Sequence, residues 1–189
     1  MGTPSPYCTI GPFFPGQFAE DCGDLTQFEG KIARGQHIIL TGRVVEDGNI
    51  PAANAIVEIW QADANGVFRH PLDPRYSEAD PGFFGWGRAR TDSQGRYRFR
   101  TVLPGGYGTR CPHVNLMVLA IGLTRRLVTT AFFADSADAD DPVLNCVADM
   151  AARRRLSAVR DESLDTGPLP AYRFDVVLRG QNETPFFLD

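Results

Sequence analysis

The sequence of 189 residues predicts a mainly β protein, an antiparallel β-sandwich with long loops and one or two short helices. Three observations lead there. Short runs of β-branched and aromatic residues recur along the chain, several of them ended by Asp-Gly or Asn-Gly turn pairs. One run, Arg96-Tyr-Arg-Phe-Arg-Thr-Val102, alternates apolar residues with arginine, as a strand with one buried and one wet face does. A single stretch, after Asp141-Pro142, carries helix signals.

The elements follow in order. Residues 1–36 are rich in Pro, Gly and Phe without periodicity. They read as an ordered N-terminal arm, because Phe13, Phe14, Phe18 and Phe28 are too apolar for a disordered tail. Residues 37–189 form the sandwich core of a single domain. His37-Ile-Ile-Leu-Thr-Gly-Arg-Val-Val45 is the first strong strand, closed by the Glu46-Asp-Gly-Asn49 turn. Ala55-Ile-Val-Glu-Ile-Trp60 is the next, followed by a turn at Asn65-Gly66 and a long loop over residues 69–87. Thr91-Asp-Ser-Gln-Gly95 opens the alternating strand that ends at Val102. Further strands are predicted over residues 113–121, 127–133 and 171–178. Asp141 is a good N-cap and Pro142 suits the first helical position; helix formers fill residues 143–160. Arg153, Arg154 and Arg155 fall late in that stretch, where cations suit the helix dipole. A solvated face accounts for the same arginine run.

Composition narrows the function. Hydrophobic content is 43%, charged content 22% and net charge −4, ordinary for a globular domain. No basic stripe suggests nucleic acid. No apolar run approaches the roughly 20 residues of a membrane span, so no membrane partner is expected. The N-terminus lacks the pattern of a signal peptide. Cys8, Cys22, Cys111 and Cys146 have no C-x-x-C spacing, so free thiols are expected rather than zinc, and the cytoplasm is the expected compartment.

The chemistry concentrates in Leu103-Pro-Gly-Gly-Tyr-Gly-Thr-Arg-Cys-Pro-His-Val-Asn115. On a strand, residues i and i+2 share a face, so a His-x-His pair aims two imidazoles at one point. His113-Val-Asn115 keeps that geometry but offers an amide, a poor transition-metal ligand, at the second position. Tyr107 also reads as a packed turn tyrosine and His113 as a satisfied core histidine. Trp60 and Trp86 read as core. Cys111 has no evident base beside it and reads as incidental.

The order of pieces resembles the intradiol ring-cleaving dioxygenases, and among them the alpha chains of protocatechuate 3,4-dioxygenases. The pieces are Thr3-Pro-Ser-Pro-Tyr-Cys-Thr-Ile-Gly-Pro-Phe-Phe14, Val57-Glu-Ile-Trp-Gln-Ala-Asp-Ala-Asn-Gly66, Phe84-Gly-Trp-Gly-Arg88 and Thr91-Asp-Ser-Gln-Gly95. They continue with Phe99-Arg-Thr-Val-Leu-Pro-Gly-Gly-Tyr107, Asp141-Pro-Val-Leu-Asn145 and Ala171-Tyr-Arg-Phe-Asp-Val-Val-Leu-Arg-Gly180. Each piece is weak alone; in this order they are specific.

The resemblance implies a ferric centre of two tyrosinates and two imidazoles in the working chains. Phenolates favour Fe(III), and the metal and substrate carry the redox step. It matches Tyr107 to one tyrosinate, His113 to one imidazole and Arg110 to the arginine before the His-x-His pair. Tyr76 is a looser match to the other tyrosinate. Asn115 stands where iron-bearing beta chains have His, and Thr130 where they have Gln. The implied pocket is therefore degenerate, with no catalytic residue and no metal expected in this chain. Fe(III) would sit in a homologous beta chain carrying His-x-His, which cleaves protocatechuate within a higher alpha–beta oligomer. Thr9, Ile10, Gly11 and Pro12 would wall the partner's pocket, Gly11 letting backbone approach a ligand closely. Two alternatives stay open. The chain could be an iron-binding intradiol dioxygenase active by itself, with Tyr76, Tyr107, His113 and Asn115 or water. Or it could be a non-catalytic transthyretin-like binding module of the same strand pattern.

Overall fold

The structure, a computed structural model, describes Glu20, residues 22–133 and residues 139–187. Thr9, Ile10, Gly11 and Pro12 lie outside the described residues. The strands are β1 (Gln27–Phe28), β2 (Lys31–Ile32), β3 (His37–Val45), β4 (Ile56–Trp60), β5 (Trp86–Arg90), β6 (Arg96–Val102), β7 (His113–Leu119), β8 (Leu127–Phe132), β9 (Val159–Arg160), β10 (Ala171–Arg173) and β11 (Val176–Val177). Two short helices, α1 (Pro142–Asn145) and α2 (Met150–Arg154), interrupt the series before β9. No helix among the described residues is long and apolar enough to cross a membrane.

Two sheets face each other. One has the order β5-β4-β7-β8, antiparallel throughout. The other is built on β3, with β6 antiparallel along it and β10 and β11 parallel to it. The mainly β sandwich is thus as the sequence predicts, but these two pairings are parallel. The predicted strand over 171–178 is split at Phe174 and Asp175. The ladder breaks there because the Phe174 carbonyl accepts from the Tyr97 hydroxyl and Arg43 N–H of β3 donates to the Asp175 carboxylate. The two halves still add to β3, at Ile39–Thr41 and Val44–Val45.

Alternation in sequence becomes alternation in space. On β6, Tyr97 and Phe99 are buried while Arg96, Arg98 and Arg100 are exposed. Leu40 and Val44 of β3, Val57 and Ile59 of β4, and Val114, Leu116 and Val118 of β7 join them in one core. Burying each such side chain is worth roughly 1.5–3 kcal/mol. Within residues 1–36, Leu25 and Ala33 reach this core, and Leu25 N–H donates to Arg100 O.

The predicted helical stretch over 143–160 is two short helices. Asp141 caps α1 by accepting from Val143 N–H, as expected of an N-cap. Asp149 restarts the helix by accepting from Ala151 and Ala152 N–H. A second strong cap inside the stretch is the local reason one helix becomes two. Arg153 and Arg154 occupy the last turn of α2. Leu144 and Leu156 pack on Phe132, covering the outer face of β8.

Candidate functional site

The outer face of the β5-β4-β7-β8 sheet carries the residues that the sequence singled out. Alternation points Val57 and Ile59 into the core, leaving Trp60 outside, and Val114 inward, leaving His113 and Asn115 outside. Trp60 pairs across the ladder with Asn115, and Asn115 with Thr130.

Glycines deliver Tyr107 to this face. Gly105 N–H donates to Asp63 O, laying Pro104–Gly106 flush on the Asn65–Gly66 turn. A Cβ on Gly66 would come within 2.2 Å of Gly106 O, and Gly66 has φ +74. The turn itself is fixed by the buried Asp63 carboxylate, which accepts from Asn65, Val67 and Asp80 N–H. Tyr107 and Arg110 then close a tight reciprocal backbone pair.

Side-chain chemistry follows from hydrogen-bond direction. His113 is 3% exposed, and its Nδ1 lies 2.7 Å from Cys111 O. Nδ1 therefore carries the proton and Nε2 is an acceptor. The Tyr107 hydroxyl, 3.5 Å away, donates a long hydrogen bond to Nε2. Burial pushes the Tyr107 phenol up and lowers the His113 imidazole to about 4. The pair is neutral, not a phenolate beside a cation. Because the unfolded imidazole titrates near 6.5, the unfolded chain binds the extra proton first. Stability will fall as pH drops from about 6.5 to about 4. A His113→Gln variant, compared by denaturant midpoint at several pH values, is expected to flatten that slope.

Arg110 points elsewhere. Its Nε donates to both oxygens of the fully buried Asp141 carboxylate, at 3.1 and 2.9 Å. Asp141 also accepts from Cys111 and Val143 N–H. Burial alone would raise this carboxyl, but those two amides and Arg110 hold it below the ordinary carboxylate range. Arg110 Nη2 is buried without a partner. Asn115 Oδ1 accepts from Thr130 Oγ1 at 3.1 Å, so its carbonyl is engaged within the sheet.

The structure thus brings Tyr107 to His113, Arg110 to Asp141, and Asn115 to Thr130. Tyr76 is 47% exposed on the 3-10 turn Tyr76–Glu78. Among the described residues no group of three or more His, Cys, Asp or Glu side chains could hold a metal. The donor set does not fit the ferric centre that the resemblance implies. One imidazole and an amide engaged with Thr130 stand where the resemblance implies two imidazoles.

Sequence reading misplaced Trp60, which is a cavity wall and not core. It stacks on Phe68 at 5.8 Å beside a cavity of about 620 Å³ that Tyr107 also lines. Its place in the Val57-Glu-Ile-Trp60 alternation was the available signal. Trp86, also expected in the core, sits on the outer face under the Arg88 guanidinium.

The pattern of a protein family described as Dioxygenase matches residues 9–180. The chain belongs to the intradiol dioxygenase family. As an intradiol dioxygenase chain it is 37% identical over 181 residues to the protocatechuate 3,4-dioxygenase beta chain of Burkholderia cepacia, covering 88% of this chain and 77% of the relative. It is 35% identical over 196 residues to the alpha chain from the same organism, covering 97% and 96%. A solved structure of catechol 1,2-dioxygenase from Acinetobacter sp. ADP1, inhibited by bound mercury, superimposes with TM-score 0.58 at 26% identity, over 97% of this chain and 66% of that one. The dioxygenase domain of a carbohydrate-binding fusion from Streptomyces sp. SirexAA-E gives TM-score 0.60 at 23% identity, over 97% of this chain and all of the other, a likeness of fold. The family is ferric-iron-dependent. Identity to the two Burkholderia chains is too similar to separate alpha from beta; residues of the site must.

Proposed function

We propose that this chain is the alpha subunit of a protocatechuate 3,4-dioxygenase. It supports Fe(III)-dependent cleavage of protocatechuate by O2 to 3-carboxy-cis,cis-muconate at a site in a homologous beta chain. One observation carries the reading: Asn115, the second position of the His-x-His pattern, gives its carbonyl to Thr130. The partner's ferric ion would supply the redox chemistry, and this chain would supply surface around the substrate. In this reading the protein is a higher alpha–beta oligomer, and of the expected arm over residues 1–36 only the part with Thr9, Ile10, Gly11 and Pro12 would reach toward the beta chain, because Leu25 and Ala33 are buried in this chain's own core. Free Cys22, Cys111 and Cys146 support a reducing compartment, the cytoplasm.

The test is iron content and visible absorbance of this chain purified alone and after co-expression with its beta partner. Tyrosinate-to-Fe(III) charge transfer is coloured. A colourless, iron-free chain that gains colour and activity only with beta is the expected result. Near-stoichiometric iron and red-brown colour in the chain alone would overturn the subunit reading.

A further inference from the structure

The arginine run at the end of α2 divides in the fold. Arg153 turns back on the connection between the helices, its Nε donating to Val147 O at 2.8 Å and its Nη2 to Asn145 Oδ1 at 3.3 Å. Arg154 and Arg155 instead line a cavity of about 340 Å³, together with Arg173, Asp175, Asn182 and Thr184. This cavity shares no lining residue with the one beside Tyr107. Its Thr184 is 1% exposed and is tied to β11 by two bonds. The Thr184 N–H donates to Val177 O at 3.0 Å, and its Oγ1 accepts from Val177 N–H at 2.9 Å. A hydroxyl that accepts still has a proton to give, and no described residue takes it.

Charge in this cavity does not cancel. Arg173 is matched, with its Nη1 3.4 Å from Asp161 Oδ2 and its Nε 3.8 Å from Asp175 Oδ2. The other Asp175 oxygen accepts from Arg43 N–H at 2.9 Å. Arg155 Nε donates to Glu183 O at 3.0 Å, leaving Nη1 and Nη2 without a partner among the described residues. The Arg154 guanidinium is exposed and bonds to no described residue. Two guanidiniums are thus in surplus. The last carbonyls of α2 do not oppose an anion there, because those of Ala152, Arg153 and Arg154 accept from Arg155, Leu156 and Ser157 N–H. Two surplus guanidiniums beside a buried hydroxyl donor and the Asn182 amide suit a ligand with two charges and several acceptor oxygens. A phosphate group near neutral pH has both, whereas a single carboxylate has one charge and two oxygens.

We propose that this cavity binds a phosphate-bearing anion, its oxygens taken by the Arg154 and Arg155 guanidiniums and the Thr184 hydroxyl. The bound anion supplies the negative charge that the two arginines lack within the chain. The arginine run is then a binding feature, beyond a solvated face or a complement to the helix dipole. The site needs no metal and does not rest on the subunit reading.

Inorganic phosphate and pyrophosphate are the probes, titrated calorimetrically into the full chain in whatever assembly it purifies in, near neutral pH and at constant ionic strength. One saturable site per chain is expected, with pyrophosphate tighter than phosphate and citrate weaker than pyrophosphate. Arg154→Gln and Arg155→Gln should each weaken pyrophosphate about tenfold, and Arg155→Lys should lose less than Arg155→Gln. Arg96→Gln removes the same charge from a guanidinium already paired with Asp92, and should bind as the parent does. Absence of saturable binding would overturn the site. Citrate binding as tightly as pyrophosphate would overturn the phosphate assignment. Parent-like binding by the two cavity variants, or an equal loss in Arg96→Gln, would overturn the placing of the anion at Arg154 and Arg155.

Discussion

A Gly42→Ala variant is expected to lose about 3 kcal/mol of stability or to fail to fold. Gly42 lies on β3 where the chain crosses Phe174, and an added Cβ would sit 1.9 Å from Phe174 O and 2.6 Å from its carbonyl carbon. Both contacts are backbone, so no side-chain rotation relieves them. The Phe174 carbonyl accepts from Tyr97 Oη at 2.5 Å, and Phe174 N–H donates to Thr41 O at 2.8 Å. Displacing Phe174 would break both bonds and pull β10 and β11 from β3 together. Chemical denaturation of Gly42→Ala beside Gly122→Ala separates this contact from generic glycine loss. Gly122 has φ +88 and open space around its Cβ, so only the left-handed backbone is penalised, at about 1 kcal/mol. Equal losses at the two positions would sink the argument.

Asp141→Ala is the second large effect, with an expected cost of about 3 kcal/mol. One carboxylate caps α1 and holds Arg110 and Cys111 N–H. Its removal uncaps the helix and leaves Arg110, whose side chain is 20% exposed, without its acceptor in a largely dry place. Partial solvent access to Arg110 keeps the estimate below the full cost of a broken buried pair. Asp141→Asn keeps a competent cap and removes the charge, so the difference between the two variants isolates the cap. The sign of the pH dependence follows from a folded carboxyl held below its ordinary value. Its contribution is present above the unfolded value of 3.8 and is lost as pH falls through the lower folded value. Acid titration of parent and Asp141→Asn should converge at low pH; parallel curves would contradict the carboxylate's role.

Local signals made much of this architecture readable. β3 and β6 have the bounds that the periodicity predicts, and the Asp141 cap forms as its residue type demands. The short strands β1, β2 and β9 carry only two residues each, too few for any period to show. Parallel addition of β10 to β3 joins segments over 130 residues apart, which no local pattern encodes. At the site, the i and i+2 relation of His113 and Asn115 was legible because strand geometry is fixed. The Asn115–Thr130 bond was not, since it depends on the β7–β8 register. Nor was the Arg110–Asp141 pair, made where the chain enters α1.

The late closure of β3 has a consequence during synthesis. One edge of β3 is taken by β6, but the other waits for Ala171–Val177. At roughly 5–20 residues per second, the ribosome delivers that segment about ten seconds after β3 itself. Throughout that interval the nascent sheet presents an unpaired edge, the kind of template on which strands of other chains add. Association with any partner of the same fold is thereby favoured after release from the ribosome, when the intramolecular strand has closed the edge and removed the wrong way to pair.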